Sequence, residues 1–399
     1  MGRRCRQHAS ARDREGSRRE EPPIRIGVIS PLTGAWTAYG RAHFSGFELA
    51  VDEINRAGGV LGRRLQIVVA DSQTNPRVAA EEAHRLIRHE QVSLLAGTFS
   101  SAERNAVGPV VAAANCLLLY PTFYEGQDPA DYPGVCNQNI FMFGLEPTQQ
   151  VWPHVEYMLR THGRRFFLIG SDYVWPRGAN RLAKQRIREA GGEIVGETYL
   201  ALGTRRYEDA LEQIRAARPD VIFSSVAAYD SVEFRRQLHA AGMRRDMVLW
   251  SVDDEEIVTT RVGAEASAGD YASFDYFMAL HHPNNHGFLA RLRRKFGRDA
   301  MTNTVGVAMY NAAHMVVQAI AHAGTLETGA VREALSHLRF DGAPQGTVRM
   351  RPTDHQAILP SHLLRVRAGW TGGHDMFEPV QSFESVEPSP ALSGVATRV

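Results

Sequence analysis

Short β-branched runs alternate with segments of helical period along most of this chain, and that alternation limits the fold more than any other feature. "IRIGVIS" (24–30) is followed by "HFSGFELAVDEINRAGG", where Phe44, Phe47, Ala50, Val51 and Ile54 recur at three- and four-residue steps. Gly58 and Gly59 stop that helix. "RRLQIVVAD", "VSLLAGT" and "CLLLYP" read as further strands, with "PRVAAEEAHRLIRHE" and "SAERNAVGPVVAAAN" as the helices between them. The series restarts at "RRFFLIGSD" (164–172) and runs through "GEIVGETYLA", "PDVIFSSV" and "DMVLWSV", each separated by a helical segment. Strands joined by helices of this length form right-handed crossovers in a parallel sheet. Two series with a break near residues 130–150 predict an α/β fold of two doubly wound parallel-sheet lobes.

The length of 399 residues suits two domains of about 150 residues each. A formal net charge of +1 argues against general affinity for nucleic acid or anionic membrane. No apolar run approaches the roughly 20 residues that span a bilayer. Residues 1–23 are polar and arginine-rich, without the apolar core of a secretory signal, and read as a disordered tail or a displaced start. The three cysteines, Cys5, Cys116 and Cys136, have no metal-like spacing, and Cys116 reads as a core residue. Residues 269–277 read as a strand running between domains, and the composition after residue 370 as a loose tail. The assigned divisions are 24–145 plus 277–345 for the N-terminal lobe, 146–276 plus 346–370 for the C-terminal lobe, and 371–399 for the tail.

Open parallel α/β sheets bind ligands beyond the carboxyl ends of their strands. The ends in the first lobe offer Phe99, Ser100 and Ser101, then Tyr120, Thr122 and Phe123; those in the second offer Tyr173 and Trp175, Tyr229 and Asp230, and Asp253 and Asp254. Rings and a few polar groups are the make-up of a small-molecule cleft. One of Ser100 and Ser101 is expected to cap the following helix, freeing the other to face the cleft. Asp253–Glu256 reads largely as a solvated helix start, with one acid reaching a ligand. Glu125 and Gly126 read as turn residues, and His314 and His322 as structural or surface residues. Phosphate-binding glycine loops, a serine nucleophile elbow and paired metal-binding motifs are all missing, so no cofactor and no metal is expected. An amide hydrolase would need a nucleophile with a base, and neither Cys116 nor Cys136 has a recognisable histidine partner.

The stretch "IRIGVISPLTGAWTAYGRAHFSGFELAVDEINRAGGVLGRRLQIVVADSQTNP" resembles the opening of the type I periplasmic-binding-protein family, in its branched-chain amino-acid and amide-binding branch. "YPTFYEGQ", "GSDYVWPRGAN" and "FDGAPQGTVRM" are similar to short-chain amide sensors and urea-binding transporter subunits. The likeness covers about residues 24–370. It implies lobes joined by three crossovers that close on a small ligand. By motif position, Ser101 and the Phe99–Ser101 backbone match the segment that meets the ligand's oxygen. Tyr120 and Thr122 match the amide-binding residues, and Tyr173 the tyrosine that closes from the second lobe. Phe99 and Phe123 stand where amide sensors often carry Tyr and Pro.

The resemblance implies a binding protein and not an enzyme, with urea or a short-chain aliphatic amide as ligand, or a branched-chain or other amino acid as the alternative. As written, without a signal segment, the chain is expected in the cytoplasm as a ligand sensor with an RNA-binding antitermination regulator as partner. With a start further upstream it would be the periplasmic partner of an ABC permease. Self-association as a homodimer is left open.

Overall fold

A computed structural model describes residues 21–127, 137–372 and 375–389. The first series runs β1 (Ile24–Ser30), α1 (Thr37–Arg56), β2 (Leu65–Asp71), α2 (Pro76–Arg88), β3 (Leu94–Gly97), α3 (Ser101–Ala113), β4 (Leu118–Tyr120) and β5 (Ile140–Met142). These strands form an all-parallel sheet in the order β2-β1-β3-β4-β5. β1 is buried along almost its whole length, as a central strand covered by helices on both faces must be. β5, only Ile-Phe-Met, is too short to carry a period and lies in the stretch expected to be the break between the lobes.

After α4 (Pro147–Gln150) and α5 (Val155–Thr161) the second series follows: β6 (Arg165–Ser171), α6 (Val174–Glu189), β7 (Glu193–Leu200), α7 (Glu208–Ala217), β8 (Val221–Ser225), α8 (Ala228–Ala240), β9 (Val248–Ser251), α9 (Glu256–Val262), α10 (Ala264–Ser267) and β10 (Tyr271–Phe274). The chain then supplies α11 (Pro283–Phe296), α12 (Thr304–Ala323) and α13 (Thr328–Ser336), of which α12 packs on α1 and β3 of the first sheet. Gly46 and Gly306 permit that close helix contact, since a Cβ on Gly46 would lie 1.9 Å from the Gly306 carbonyl oxygen. β11 (Arg339–Ala343), β12 (Gly346–Met350), β13 (Ala357–Val366) and β14 (Phe377–Val386) complete the second sheet. Its strands β7-β6-β8-β9-β10 are parallel, and β13 adds antiparallel to β10. The chain therefore passes between the sheets three times: after β5, after β10 and after α13.

Two expectations are corrected. The tail assigned to 371–399 contains β14, which pairs along β13 from Val366↔Phe377 to Leu359↔Val386. β14 has one buried end and an otherwise half-exposed face, so its composition is polar enough to read as loose. The lobe boundary drawn between 345 and 346 falls inside the β11–β12 hairpin, whose strands pair with each other. Cys116 lies in the first-lobe core as expected, while Cys5 and Cys136 lie outside the described residues. So does the assigned tail up to residue 20; Pro22 and Pro23 accept hydrogen bonds from Arg63. Among the described residues, no helix is long and apolar enough to cross a membrane.

Candidate functional site

The carboxyl ends of the two sheets face each other, and rings from both lobes meet there. In the first lobe, Trp36 and Tyr39 stand at the start of α1, and Phe99 follows β3. Trp36 lies 5.4 Å and Tyr39 5.0 Å from the Phe99 ring, centroid to centroid. From the second lobe, Tyr173 approaches Trp36 at 6.2 Å, and Trp175 meets Phe123 edge-on at 4.9 Å. Phe274, at the tip of β10, closes the same wall at 5.4 Å from Phe123. The phenol of Tyr39 donates across the lobes to the Asp253 carboxylate at 3.3 Å.

Sharp turns at the strand ends aim these groups. Thr98, after β3, has φ 58°, and Ala228, at the start of α8, has φ 52°. Left-handed backbone in a side-chain-bearing residue is strained and persists where surrounding structure holds it. At Gly144, after β5, a Cβ would lie 2.3 Å from the Thr122 backbone, so only glycine lets this crossover pass beside the Tyr120–Phe123 lip.

The polar groups differ between the lobes. Ser100 is the N-cap of α3 and forms a capping box with Glu103. Glu103 also accepts from the Phe99 N–H at 2.8 Å and the Ser100 N–H at 3.0 Å. Ser101, the other serine, is buried and donates to Glu125. Glu125 is no mere turn residue: it forms a fully buried ion pair with Arg104 at 2.6 Å. Tyr120 donates to the Phe99 carbonyl at 3.0 Å. The Thr122 hydroxyl and the Trp175 indole N–H are buried without a hydrogen-bond partner.

The acidic run of the second lobe is not the solvated helix start expected from its composition. Asp253, Asp254, Glu255 and Glu256 are all buried. Asp253 accepts from the Ala228 N–H at 2.6 Å and caps the start of α8. Burial, with Asp254 beside it, pushes the Asp253 carboxyl well above its ordinary range. Burial, then Asp253, does the same to Glu255. Among the described residues no arginine or lysine forms an ion pair with either, and neither Glu255 carboxylate oxygen has a hydrogen-bond partner. Asp254 differs, since it accepts from Ser231 at 2.6 Å and pairs with Arg235 at 3.3 Å.

Of the residues singled out from the sequence, Phe99, Ser101, Tyr120, Thr122, Phe123, Tyr173, Trp175 and Asp253 gather at the facing tips. Ser100 is occupied as a cap, Asp254 by Arg235, and Asp230 by the Gly203 N–H at 2.7 Å. Tyr229 turns away from the tips, with the Arg261 guanidinium 4.8 Å over its ring. Trp36, Tyr39 and Phe274 join the cluster unforeseen, and Glu255 joins it from the acidic run. Trp36 and Tyr39 follow the "PLTG" turn after β1, a few residues beyond the strand end itself. Phe274 belongs to a strand expected to run between domains, which was the available signal for it.

The sequence family described as "Periplasmic binding protein domain" matches residues 24–393. A Leu/Ile/Val-binding protein of Rhizobium johnstonii is 24% identical over 54% of this chain, and the match spans 58% of that relative's length. The Leu/Ile/Val-binding protein homolog 6 of Brucella melitensis is 22% identical over 90% of this chain and 92% of its own. The crystal structure of an amino acid ABC transporter substrate-binding protein from Pseudomonas fluorescens Pf-5 superposes with a TM-score of 0.83 at 23% identity, over 94% of this chain and 99% of the other. An ABC transporter substrate-binding protein from Sphaerobacter thermophilus superposes with a TM-score of 0.82 at 25% identity, over 91% and 98%. The matched family is periplasmic by description, which overturns the cytoplasmic expectation. The relatives named here are Leu/Ile/Val-binding or amino-acid-transporter proteins by description. The chain belongs to the periplasmic binding protein family, a family of binding proteins and not of catalysts, with the type I two-lobed fold.

Proposed function

We propose that this chain is the solute-binding subunit of an ABC-type transporter and encloses a small nitrogenous solute of the amino-acid class between the tips of its two sheets. The observation that carries the reading is the pair Asp253 and Glu255, buried at the aromatic cluster with no ion-pair partner among the described residues. A buried carboxylate without a partner is costly, and a ligand ammonium would supply the missing charge. The rings of Trp36, Phe99, Phe123, Tyr173 and Trp175 would wall the solute, and their π faces favour a cation. Thr122 and Trp175 hold unpartnered donors for a solute oxygen. The names of the relatives, Leu/Ile/Val-binding and amino acid binding, support the same class. Lobe closure would follow from tighter binding in the closed arrangement, with the three crossovers as hinge.

A second reading, urea or a short-chain amide, is favoured by one observation: the charge of Arg104, the cation behind the first-lobe wall, is already matched by Glu125 in a fully buried pair, while its Nε and Nη1 keep unpartnered N–H groups. A thermal-shift panel of L-leucine, butyramide, acetamide and urea tests the proposal. A true ligand at 100 times its Kd raises stability by about 2.7 kcal/mol. Consumption of any of these compounds, followed by mass spectrometry, would overturn the binding role.

A further inference from the structure

We infer that Asp253 and Glu255 as a pair carry a proton until the solute arrives and give it up to solvent when the solute's ammonium enters, so that binding and proton release are coupled. The inference rests on the solute-binding reading and adds to it a dependence on pH.

The charges beneath the second-lobe tips leave these two acids over. Arg235 on α8 pairs with Asp254 at 3.3 Å and with Asp270 at 2.6 Å, and Arg244 pairs with Asp270 as well. Two guanidinium groups thus meet two carboxylates. Asp253 and Glu255 stand outside that set, with no ion-pair partner among the described residues. Asp253 accepts from the Ala228 N–H at 2.6 Å and the Tyr39 phenol at 3.3 Å, while Glu255 has no hydrogen-bond partner on either oxygen. Both are buried. The other titratable groups that face them are Tyr39 from α1, Tyr173 at the start of α6, Asp230 from α8, and Asp254 and Glu256 on either side of Glu255. All of these are acids or phenols, so none supplies positive charge. Buried carboxyls in such company keep their protons, and burial first, then the neighbouring acids, push both upward. Interacting acids titrate together, so the proton belongs to the pair.

A solute ammonium reverses the balance. Its charge lowers the proton affinity of the pair. One carboxyl O–H bond breaks, the proton passes to solvent, and the new carboxylate accepts from the ammonium N–H. One positive charge enters as another leaves. A neutral solute can bond to the protonated carboxyl and releases nothing. The sign follows from linkage: acid keeps the proton on the pair and weakens binding, and rising pH tightens binding until the pair ionises without the solute.

Calorimetric titration of the full chain with L-leucine, run at one pH in phosphate and in Tris, counts the protons released, because the two buffers differ in ionisation enthalpy. About one proton per solute is expected near neutrality, with affinity rising by up to about tenfold per pH unit. Glu255→Gln removes one acid together with the charge that holds the proton on the other, so release should fall by about half or more and the pH profile should flatten. Glu256 instead accepts from the Ala279 N–H at the second crossover, and Glu256→Gln should leave the proton count at its wild-type value. The buffer comparison on the wild type decides alone if Glu255→Gln does not fold. Binding of L-leucine without proton release, tighter binding in acid, release unchanged in Glu255→Gln or lost in Glu256→Gln, or a preference for butyramide or urea over L-leucine would each overturn the inference and leave solute binding intact. Failure of L-leucine, butyramide, acetamide and urea alike to bind would instead remove the solute-binding reading itself.

Discussion

Both lobes bury carboxyl groups at their strand tips, and they manage them in opposite ways. In the first lobe, Glu125 is matched by Arg104 and spends its remaining capacity on Ser101. In the second, Asp254 is matched by Arg235, but Asp253 and Glu255 have no ion-pair partner among the described residues. The buried carboxylate of one wall is matched within the protein, and two acids of the other have no ion-pair partner among the described residues. On the proposed reading, the acids of the second wall gain most from the arrival of a positive or N–H-rich group.

The comparison can be broken most forcefully from the matched side. Arg104→Met strands the Glu125 carboxylate in the core and should lower unfolding free energy by about 3–5 kcal/mol, read by denaturant melts. A loss under 1 kcal/mol would mean that the pair is solvated and the contrast false. The unmatched side answers to pH. Burial pushes the Glu256 carboxyl up to about 7 from its ordinary 4.5. The native state therefore keeps a proton that the unfolded chain releases first. Its contribution to stability is full below about pH 4.5, declines as pH rises toward 7, and levels off above. Glu256→Gln removes that decline, so the variant should gain on the wild type by up to about 3 kcal/mol between those limits. A constant difference across the window would contradict the burial of this acid. The smallest effect belongs to Ser100, whose side chain only closes the first turn of α3. Ser100→Ala should cost about 1 kcal/mol of stability and leave solute affinity unchanged.

The lobes also differ in how well they could be read from residues alone. Period and strand length exposed nearly every element of the parallel series, because a doubly wound sheet writes its burial into local sequence. β5 escaped because three residues have no period. β14 escaped because its exposed face carries the polar residues of a tail. At the site, the tips of β3, β4 and β6 were legible because strand ends are fixed by topology. Tyr229 misled because it follows β8 as closely as the others follow their strands, yet it sits past the left-handed turn at Ala228 and faces outward. The acidic run misled because four adjacent acids look solvated, and only the fold shows Arg235 beneath one of them. Glu125 gave no signal, since its partner Arg104 lies a helix away.

The account turns on whether the unmatched acids of the second lobe hold a nitrogen of the enclosed solute. Calorimetric titration of wild type and Asp253→Asn with the compound that stabilises the wild type most tests this directly. The asparagine can still accept from the Ala228 N–H, so the start of α8 stays capped. The account predicts a loss of affinity on the order of 10²-fold with the fold retained. Equal affinities in the two proteins would show that the acids serve the fold alone, and would contradict it.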